Sequence, residues 1–236
     1  PTRWRRSRAP PLGDLEERSG PRGGPTETQF AASRNGVEWN RFPRPTYVGM
    51  GEVDGIYFTQ SFIGQGMVRR GDEIWQYVFL DEDYHSPLER TYRRRVARLI
   101  QRFDGFVSAD APYGRDGVIV TRPIRFDGDR LAFNIKTDAM GSAFVELLDE
   151  AGTPIPGFTL EESVMINGDH MDVQAEWIKA GIDELKTVPH YEGMPTRELN
   201  TSADLSSLRG RTIRVRLVMR GASLYSMQFR ESGASD

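Results

Sequence analysis

The strongest constraint on the fold is a run near the C-terminal end in which apolar and basic residues alternate. From residue 213 to residue 220, every second residue is apolar and most of the others are arginine. The apolar positions are Ile213, Val215, Leu217 and Met219, and the arginines are Arg214, Arg216 and Arg220. Successive side chains of a strand point to opposite faces of its sheet, so this period of two predicts a strand with one buried face.

Regular strand signals precede and follow this run. They occur at residues 118–120, 131–136, 143–148, 171–177 and 224–229, and Gly and Asp residues between them indicate turns. Many short strands separated by turns are typical of an antiparallel β-sandwich, which is predicted for residues 111–230. Within this region, residues 180–199 are predicted to be an insertion with a short helix. Residues 204–210 are predicted to form a capped turn.

The N-terminal half contains two predicted hairpins. Asn35-Gly36 supplies a tight turn between flanks with aromatic and β-branched residues, and Arg70-Gly71-Asp72 separates strands predicted at residues 62–69 and 73–80. The latter strand is apolar on both faces, which suits a sheet stacked between neighbours. Residues 88–103 fit a helix by the spacing of their apolar residues.

The composition excludes several classes of partner. A net charge of −3 and a pI of about 5.8 argue against a nucleic-acid partner. No apolar run approaches the roughly 20 residues that a membrane helix needs, so no membrane partner is expected. The chain has no Cys, which excludes disulfides and a thiol nucleophile and is compatible with secretion or export to the periplasm. Residues 1–25 and 231–236 are predicted to be disordered tails.

Several motifs resemble those of one enzyme group. Residues 32–39, with the sequence A-S-R-N-G-V-E-W, resemble a propeller hairpin of the pattern A-S-x-D-G-x-x-W. Residues 71–77, with the sequence G-D-E-I-W-Q-Y, resemble an inner propeller strand. Together with residues 104–108, 154–158 and 224–229, they look like bacterial proteins related to the five-bladed β-propeller glycoside hydrolases, in which a lectin-like sandwich follows the propeller.

The resemblance implies an all-β chain with partial β-propeller blades at residues 26–110 and a jelly-roll or concanavalin-like β-sandwich at residues 111–230. It also favours a strand for residues 88–103. Because only the last blade or two fit before the sandwich, the N-terminal propeller blades would be missing and the active site incomplete. The expected function is that of the C-terminal part of a glycoside hydrolase-like, carbohydrate-associated protein. The alternative is a non-catalytic carbohydrate-binding or structural sandwich.

Two acidic residues are the best candidates for the catalytic pair. Glycoside hydrolysis uses two carboxyl groups, and Glu52 and Asp54 stand two residues apart in a Gly-rich segment. Tyr57 and Trp75 offer aromatic faces to sugar rings, and His85 lies in an acidic segment where it can bind a sugar hydroxyl or a cation. The alternative interpretation is a pair of hydrated loops, in which the acids cap turns and the histidine is exposed.

One further pair of acids suggests a metal site. Asp127 and Asp129 flank Gly128 and are candidate oxygen ligands for Ca²⁺, although the same sequence suits an ordinary hairpin turn. No other cofactor is expected, and the three histidines lack zinc-site spacing. A last alternative is an interaction module in which the Arg-rich residues 90–102 contact acidic partners.

Overall fold

A computed structural model of the chain describes residues 24–41, 46–83, 93–179 and 200–233. The chain divides into two compact units, Pro1–Phe103 and Asp104–Asp236. Within the described residues every regular element is a β-strand, apart from one 3₁₀ turn at Ser206–Leu208, so the predicted all-β class is confirmed. The predicted insertion at 180–199 and nearly all of the predicted N-terminal tail lie outside the described residues.

The described part of the first unit contains ten strands. They are β1 (Thr28–Gln29), β2 (Ala32–Ser33), β3 (Trp39–Asn40), β4 (Thr46–Val48), β5 (Gly51–Val53), β6 (Ile56–Phe58), β7 (Gln60–Ile63), β8 (Val68–Arg70), β9 (Glu73–Asp81) and β10 (Arg94–Arg102). β2 and β3 form the hairpin predicted around Asn35-Gly36. β5 and β6 form a second hairpin, and β1 pairs with β4.

The largest sheet of this unit has four strands, with β9 at its centre. β10 pairs with β9 along its whole length, whereas β7 and β8 pair in turn with the other side of β9. The predicted turn at 70–72 is therefore confirmed, but the strand predicted over 62–69 is divided into two. Residues 94–102 form a strand, so the helical alternative for this segment is wrong.

Alternate residues of β9 give this sheet two different faces. Val78 and Leu80 point inward and are buried together with Phe58 in the hydrophobic cluster of the unit. Val53 and Ile56 pack against the same cluster, so the hairpin β5–β6 covers this inner face. Because side chains alternate along a strand, the odd-numbered residues of β9 belong to the opposite, outer face.

The described part of the second unit contains eight strands. They are β11 (Ala109–Ala111), β12 (Gly117–Val120), β13 (Ile124–Arg125), β14 (Arg130–Asp149), β15 (Asp169–Gln174), β16 (Trp177–Ile178), β17 (Thr201–Ser202) and β18 (Thr212–Arg230). β14 and β18 are antiparallel neighbours along almost their whole lengths. β15 flanks β14, while β11, β12 and β13 pair with successive parts of β18. β16 and β17 form a separate pair.

β14 and β18 are each one long strand, whereas the sequence predicts two shorter strands in each region. In β14, residues 138–141 lie opposite the single residue Gly221 of β18, and antiparallel pairing continues on both sides. Extra residues in one strand form a bulge, which bends the strand without ending it. The Asp and Gly residues that indicated turns therefore belong to a bulge. A Cβ atom on Gly141 would lie 2.3 Å from the carbonyl oxygen of Gly221.

The bulges keep the apolar residues of both long strands in one core. The buried cluster contains Leu131, Phe133, Ile135, Ala143, Val145 and Leu147 from β14, and Ile213, Val215, Leu217, Met219 and Ala222 from β18. In β18 the inward positions change from odd to even numbers at Gly221, because one unpaired residue shifts the alternation by one. The alternation that predicts the strand at 213–220 is confirmed by this burial.

In two turns of the second unit, an aspartate side chain accepts a stabilising hydrogen bond. Asp104 adopts a φ of 56°, a left-handed conformation that Asp tolerates better than most residues, and its carboxylate accepts a 2.7 Å hydrogen bond from the hydroxyl of Ser226. The carboxylate of Asp204 accepts a 2.9 Å hydrogen bond from the N–H of Ser206 at the start of the 3₁₀ turn. The turn predicted at 204–210 is therefore confirmed, whereas its predicted cap is not, because the N-cap residue, Leu205, makes no side-chain hydrogen bond.

Candidate functional site

The two predicted catalytic acids lie on the hairpin β5–β6. Glu52 is an exposed residue of β5, and its cross-strand partner on β6 is Tyr57. Asp54 and Gly55 form the two-residue turn with φ angles of 52° and 76°, the left-handed geometry of a tight hairpin. The structure thus brings Glu52, Asp54 and Tyr57 onto one hairpin, with Asp54 in the turn.

Trp75 lies on the other side of the sheet from this hairpin. The hairpin packs on the inner face, whereas Trp75 belongs to the outer face and has Val68 and Ile100 as its cross-strand partners. The thickness of the sheet therefore separates the Trp75 ring from the carboxylates of Glu52 and Asp54. His85, the remaining predicted sugar-binding residue, lies outside the described residues.

The outer face carries a band of exposed apolar side chains. Phe62, Phe79 and Val96 are in register across three strands, and Tyr77 and Arg98 form the next row. The exposed fractions are 42% for Phe62, 50% for Tyr77, 39% for Phe79 and 70% for Val96. Contiguous apolar surface of this kind marks a site of ligand binding or of interaction. The outer aromatic face is defined by Phe62, Val68, Trp75, Tyr77, Phe79 and Val96.

Two arginines hold Trp75 between them along the sheet. Arg70 comes from β8 and Arg98 from β10, the neighbours of β9, and their guanidinium carbons lie 4.9 and 4.0 Å from the centre of the indole ring. The indole N–H donates a 2.7 Å hydrogen bond to the carboxylate of Glu73. A guanidinium stacked on an indole gains cation–π attraction and apolar contact together. The ring predicted to bind sugar is thus also an anchor for two cations.

A third arginine, Arg94, lies at one end of the outer aromatic face and, unlike Arg70 and Arg98, forms an ion pair with a described residue. The Nε of Arg94 lies 2.9 Å from a carboxylate oxygen of Asp81, and its guanidinium carbon is 5.7 Å from the ring centre of Phe79. Asp81 is buried, whereas the Arg94 side chain is 36% exposed. The charge of Arg94 is therefore already compensated within the sheet.

Sequence reasoning selected Trp75 but missed Tyr77, Phe79 and Arg98. The available signal was the strand at 73–80, whose two faces are both apolar. Which face stays exposed depends on where the hairpin β5–β6 packs. Which arginine of β10 meets Tyr77 depends on the register of the two strands. Both are long-range features that the local pattern does not contain.

The candidate Ca²⁺ ligands have different surroundings. Asp127 is exposed, whereas the two carboxylate oxygens of Asp129 accept hydrogen bonds of 2.7 Å from the hydroxyl and the N–H of Ser232. The hydrogen bond from the Ser232 hydroxyl, followed by its N–H and the charges of Arg130 and Arg209, lowers the pKa of Asp129 below its ordinary value. Asp129 therefore fastens the segment that follows β18.

Within the four described ranges, no group of three His, Asp or Glu side chains is close enough to hold a metal ion. His170, the second residue of β15, has its Nε2 atom 2.7 Å from the carbonyl oxygen of Asn167. This contact holds the imidazole ring against the residues that precede β15.

Among the described residues of the second unit, two of the clefts are open to solvent. One, of about 340 Å³, is lined by Asp110, Tyr113, Lys136, Asp138 and Ser223. The other, of about 640 Å³, is lined by residues that include His170, Asp172 and Glu176. Most of their charged groups already have partners, since Lys136 pairs with Asp169, Asp172 with Arg230, and Glu176 accepts a hydrogen bond from Thr201.

Comparison of the chain with protein-family models, with curated proteins and with solved structures finds no match. In the part of the chain that the structure describes, no helix has the length and hydrophobicity that crossing a membrane requires. The outer aromatic face is therefore interpreted from its own chemistry.

Proposed function

We propose that this chain is a carbohydrate-binding protein that lacks a complete catalytic site and that binds glycans on the outer aromatic face. The observation that carries the proposal is the exposure of Phe62, Tyr77 and Phe79 side by side on one face of a hydrogen-bonded sheet. Sugar rings have apolar C–H faces as well as hydroxyls. Exposed aromatic rings, one of them with a phenolic hydroxyl, match both features.

The spacing of the rings supports an extended ligand. Tyr77 and Phe79 are two residues apart on β9, which corresponds to about 7 Å along a strand. Phe62 lies across from Phe79 at about 5 Å, the usual separation of paired side chains. Rings at this spacing span more than one sugar unit, and they form an open surface. Small molecules are usually enclosed in concave pockets, so this surface favours a polysaccharide chain.

We propose in addition that the architecture follows the glycoside hydrolase-like group that the sequence resembles. The four-stranded sheet would be a propeller blade, and the second unit a jelly-roll-like β-sandwich. β9 pairs antiparallel with β10 on one side and with β7 and β8 on the other, which supports the first assignment because propeller blades are antiparallel sheets. The bent, fully antiparallel pair β14–β18 with its shared core supports the second.

Affinity electrophoresis through gels that contain soluble polysaccharides tests the binding proposal. Wild type is expected to be retarded by at least one polysaccharide. Tyr77→Ala and Phe79→Ala should each weaken binding about tenfold, since a lost aromatic contact of about 1.4 kcal/mol corresponds to that factor. Trp39→Ala, which removes an exposed ring from the hairpin β2–β3, is the matched control and should bind like wild type. Retention that is unchanged in both variants would overturn the proposal.

A second candidate function, cleavage of a glycosidic bond, is supported by the position of Glu52 and Asp54 on one hairpin. Retaining and inverting mechanisms both need two carboxyl groups. If this candidate is right, the chain releases the phenol from an aryl glycoside, and Glu52→Gln or Asp54→Asn abolishes the release. Asp72→Asn, in another exposed turn, should have no effect. Equal release by all variants would remove Glu52 and Asp54 from the mechanism.

A further inference from the structure

We infer that the outer aromatic face selects glycans that carry carboxylates, that is, polysaccharides rich in uronic acids. This inference rests on the proposed function and adds the chemical class of the ligand. It is carried by Arg70 and Arg98, which flank Trp75, and by the position of Arg98 directly opposite Tyr77.

The first argument is charge. Among the residues that the structure describes, neither Arg70 nor Arg98 has a carboxylate within ion-pair distance, whereas Arg94 on the same face pairs with Asp81. The nearest acid in the sheet register, Glu73, accepts the indole N–H of Trp75. Two exposed guanidinium groups thus stand on the outer aromatic face with their charges uncompensated by a direct partner. A ligand with negative charge supplies that partner.

The second argument is preorganisation. The Trp75 ring holds each guanidinium over its surface. A guanidinium that stacks on a ring keeps the N–H groups at its edge available to a ligand. These N–H groups form a planar fork that matches a carboxylate with two parallel hydrogen bonds. Part of the conformational entropy that an exposed arginine loses on binding is therefore already lost in the free protein.

The third argument is register. Arg98 and Tyr77 are cross-strand partners on the same face, which sets their Cβ atoms about 5 Å apart. A sugar ring that packs on Tyr77 places a substituent at its edge within reach of the Arg98 guanidinium. A uronic acid has a planar carboxylate as such a substituent. Tyr77 thus contacts the sugar ring, and Arg98 binds the carboxylate of the same sugar.

Single-stranded nucleic acid is the other polyanion that stacks on aromatic rings beside arginines. The net charge of −3 for the chain disfavours it, because nucleic-acid binding draws most of its affinity from many phosphate contacts. A uronate-rich glycan needs only one or two carboxylate contacts in addition to ring packing. The observations therefore favour the glycan.

The decisive experiment compares one polysaccharide backbone in two states of charge. Binding of the full chain to polygalacturonate and to its fully methyl-esterified form is measured by isothermal titration calorimetry at low and at moderate salt. The acidic form is expected to bind about tenfold more tightly or better, the effect of one charge-assisted bidentate contact, and to lose affinity as salt rises. The esterified form should bind weakly and without salt dependence.

Variants assign the preference to the two arginines. Arg98→Gln and Arg70→Gln should each reduce the ratio of the two affinities, and Arg98→Lys should restore it only in part, because lysine keeps the charge but not the fork. Arg122→Gln removes an exposed arginine of the second unit and is the matched control for net charge. Circular dichroism of each variant checks that the sheet is intact.

The outcomes separate the inference from the proposed function. Equal, salt-independent binding of both polysaccharides would overturn the inference and leave glycan binding standing. Binding of a single-stranded oligonucleotide but of neither polysaccharide, lost in Arg98→Gln, would overturn the inference in favour of nucleic acid. If no polysaccharide of any kind is bound, the proposed function itself fails.

Discussion

Gly141 lies in the bulge of β14, directly against the backbone of Gly221 in β18. A Cβ atom at this position would be 2.3 Å from the carbonyl oxygen of Gly221 and 2.9 Å from that of Arg220. Backbone atoms cannot move away without breaking the pairing of β14 with β18. Gly141→Ala is therefore expected to destabilise the protein by about 1–3 kcal/mol, the usual cost of overpacking, in urea denaturation.

The matched control is Gly114→Ala, since nothing lies within 4 Å of a Cβ atom there. It should change the free energy of unfolding by less than about 0.5 kcal/mol. If the two alanine variants are equally stable, the close approach of the strands at Gly141 is not a constraint on the fold.

The Asp129 carboxylate predicts a pH dependence of stability. Hydrogen bonds from Ser232 lower its pKa in the folded state below the ordinary value of 3.8. A depressed carboxyl pKa stabilises the folded state above the ordinary value, and this stabilisation is lost as the pH falls through the lowered pKa. Asp129→Asn imitates the protonated group. The melting temperature of wild type should exceed that of the variant at neutral pH.

The two melting temperatures should converge as the pH falls below 3.8. Ser232→Ala removes the hydroxyl donor. In this background Asp129→Asn should therefore lower the melting temperature at neutral pH by less than it does in wild type. A temperature difference between wild type and Asp129→Asn that stays constant from neutral to acidic pH would contradict the assignment.

The bulge in β14 depends on a clamp from another element. The side-chain amide nitrogen of Asn167 donates to the carbonyl oxygen of Gly141 at 2.7 Å and to the hydroxyl of Thr137 at 3.1 Å. It thus connects Thr137, which precedes the bulge, with Gly141, the last residue of the bulge. Asn167→Ala is expected to cost about 1–2 kcal/mol, because it leaves partly buried acceptors unsatisfied. Gln174→Ala, an exposed amide on β15, should cost much less.

An aspartate at position 167 sharpens this test. In Asn167→Asp, a carboxylate without a proton to donate lies against the Gly141 carbonyl oxygen and the Thr137 hydroxyl oxygen. At neutral pH this variant should therefore be at least as destabilised as Asn167→Ala. Acidification returns a proton to the carboxyl group, and the variant should then regain part of the lost stability relative to wild type. If the stability that Asn167→Asp loses relative to wild type does not change with pH, the hydrogen bonds from Asn167 do not stabilise the bulge.

At the level of elements, the sequence predicts the existence of strands better than their limits. The alternation at Ile213 to Met219 is a local property and is confirmed in β18. Asp138 and Gly141 indicate a turn by their conformational preferences, but pairing with β18 makes them a bulge. The candidate site follows the same rule. Trp75 stands out by residue type, whereas its contact with the Arg98 guanidinium depends on the register of β9 and β10, which the local pattern does not contain.

Each unit of the molecule contains its own hydrophobic cluster. All members of the larger cluster lie between Ala111 and Phe229, within the second unit. A segment that holds a complete core is expected to fold alone. Residues 104–236 expressed alone should therefore unfold cooperatively in urea. Trp177, the single tryptophan in this segment, is 2% exposed and reports the transition by its fluorescence.

Within this segment Leu131→Ala should lower the free energy of unfolding by about 2–5 kcal/mol, because Leu131 is fully buried. Val118→Ala, at a position that is 55% exposed, is the control and should have little effect. A segment without a cooperative transition would show that the larger cluster is insufficient for folding.

The position of β10 also affects how molecules of this protein behave together. In the described residues β10 pairs with β9 alone, and four of its nine residues are arginine. An open strand beside an apolar surface invites a second molecule to extend the sheet, and like charges oppose that approach. A long polyanion would neutralise this repulsion on many molecules at once. Colloidal stability should therefore be lowest where such a polymer saturates the protein, and precipitation at that ratio would follow from the same arginines that give the surface its charge.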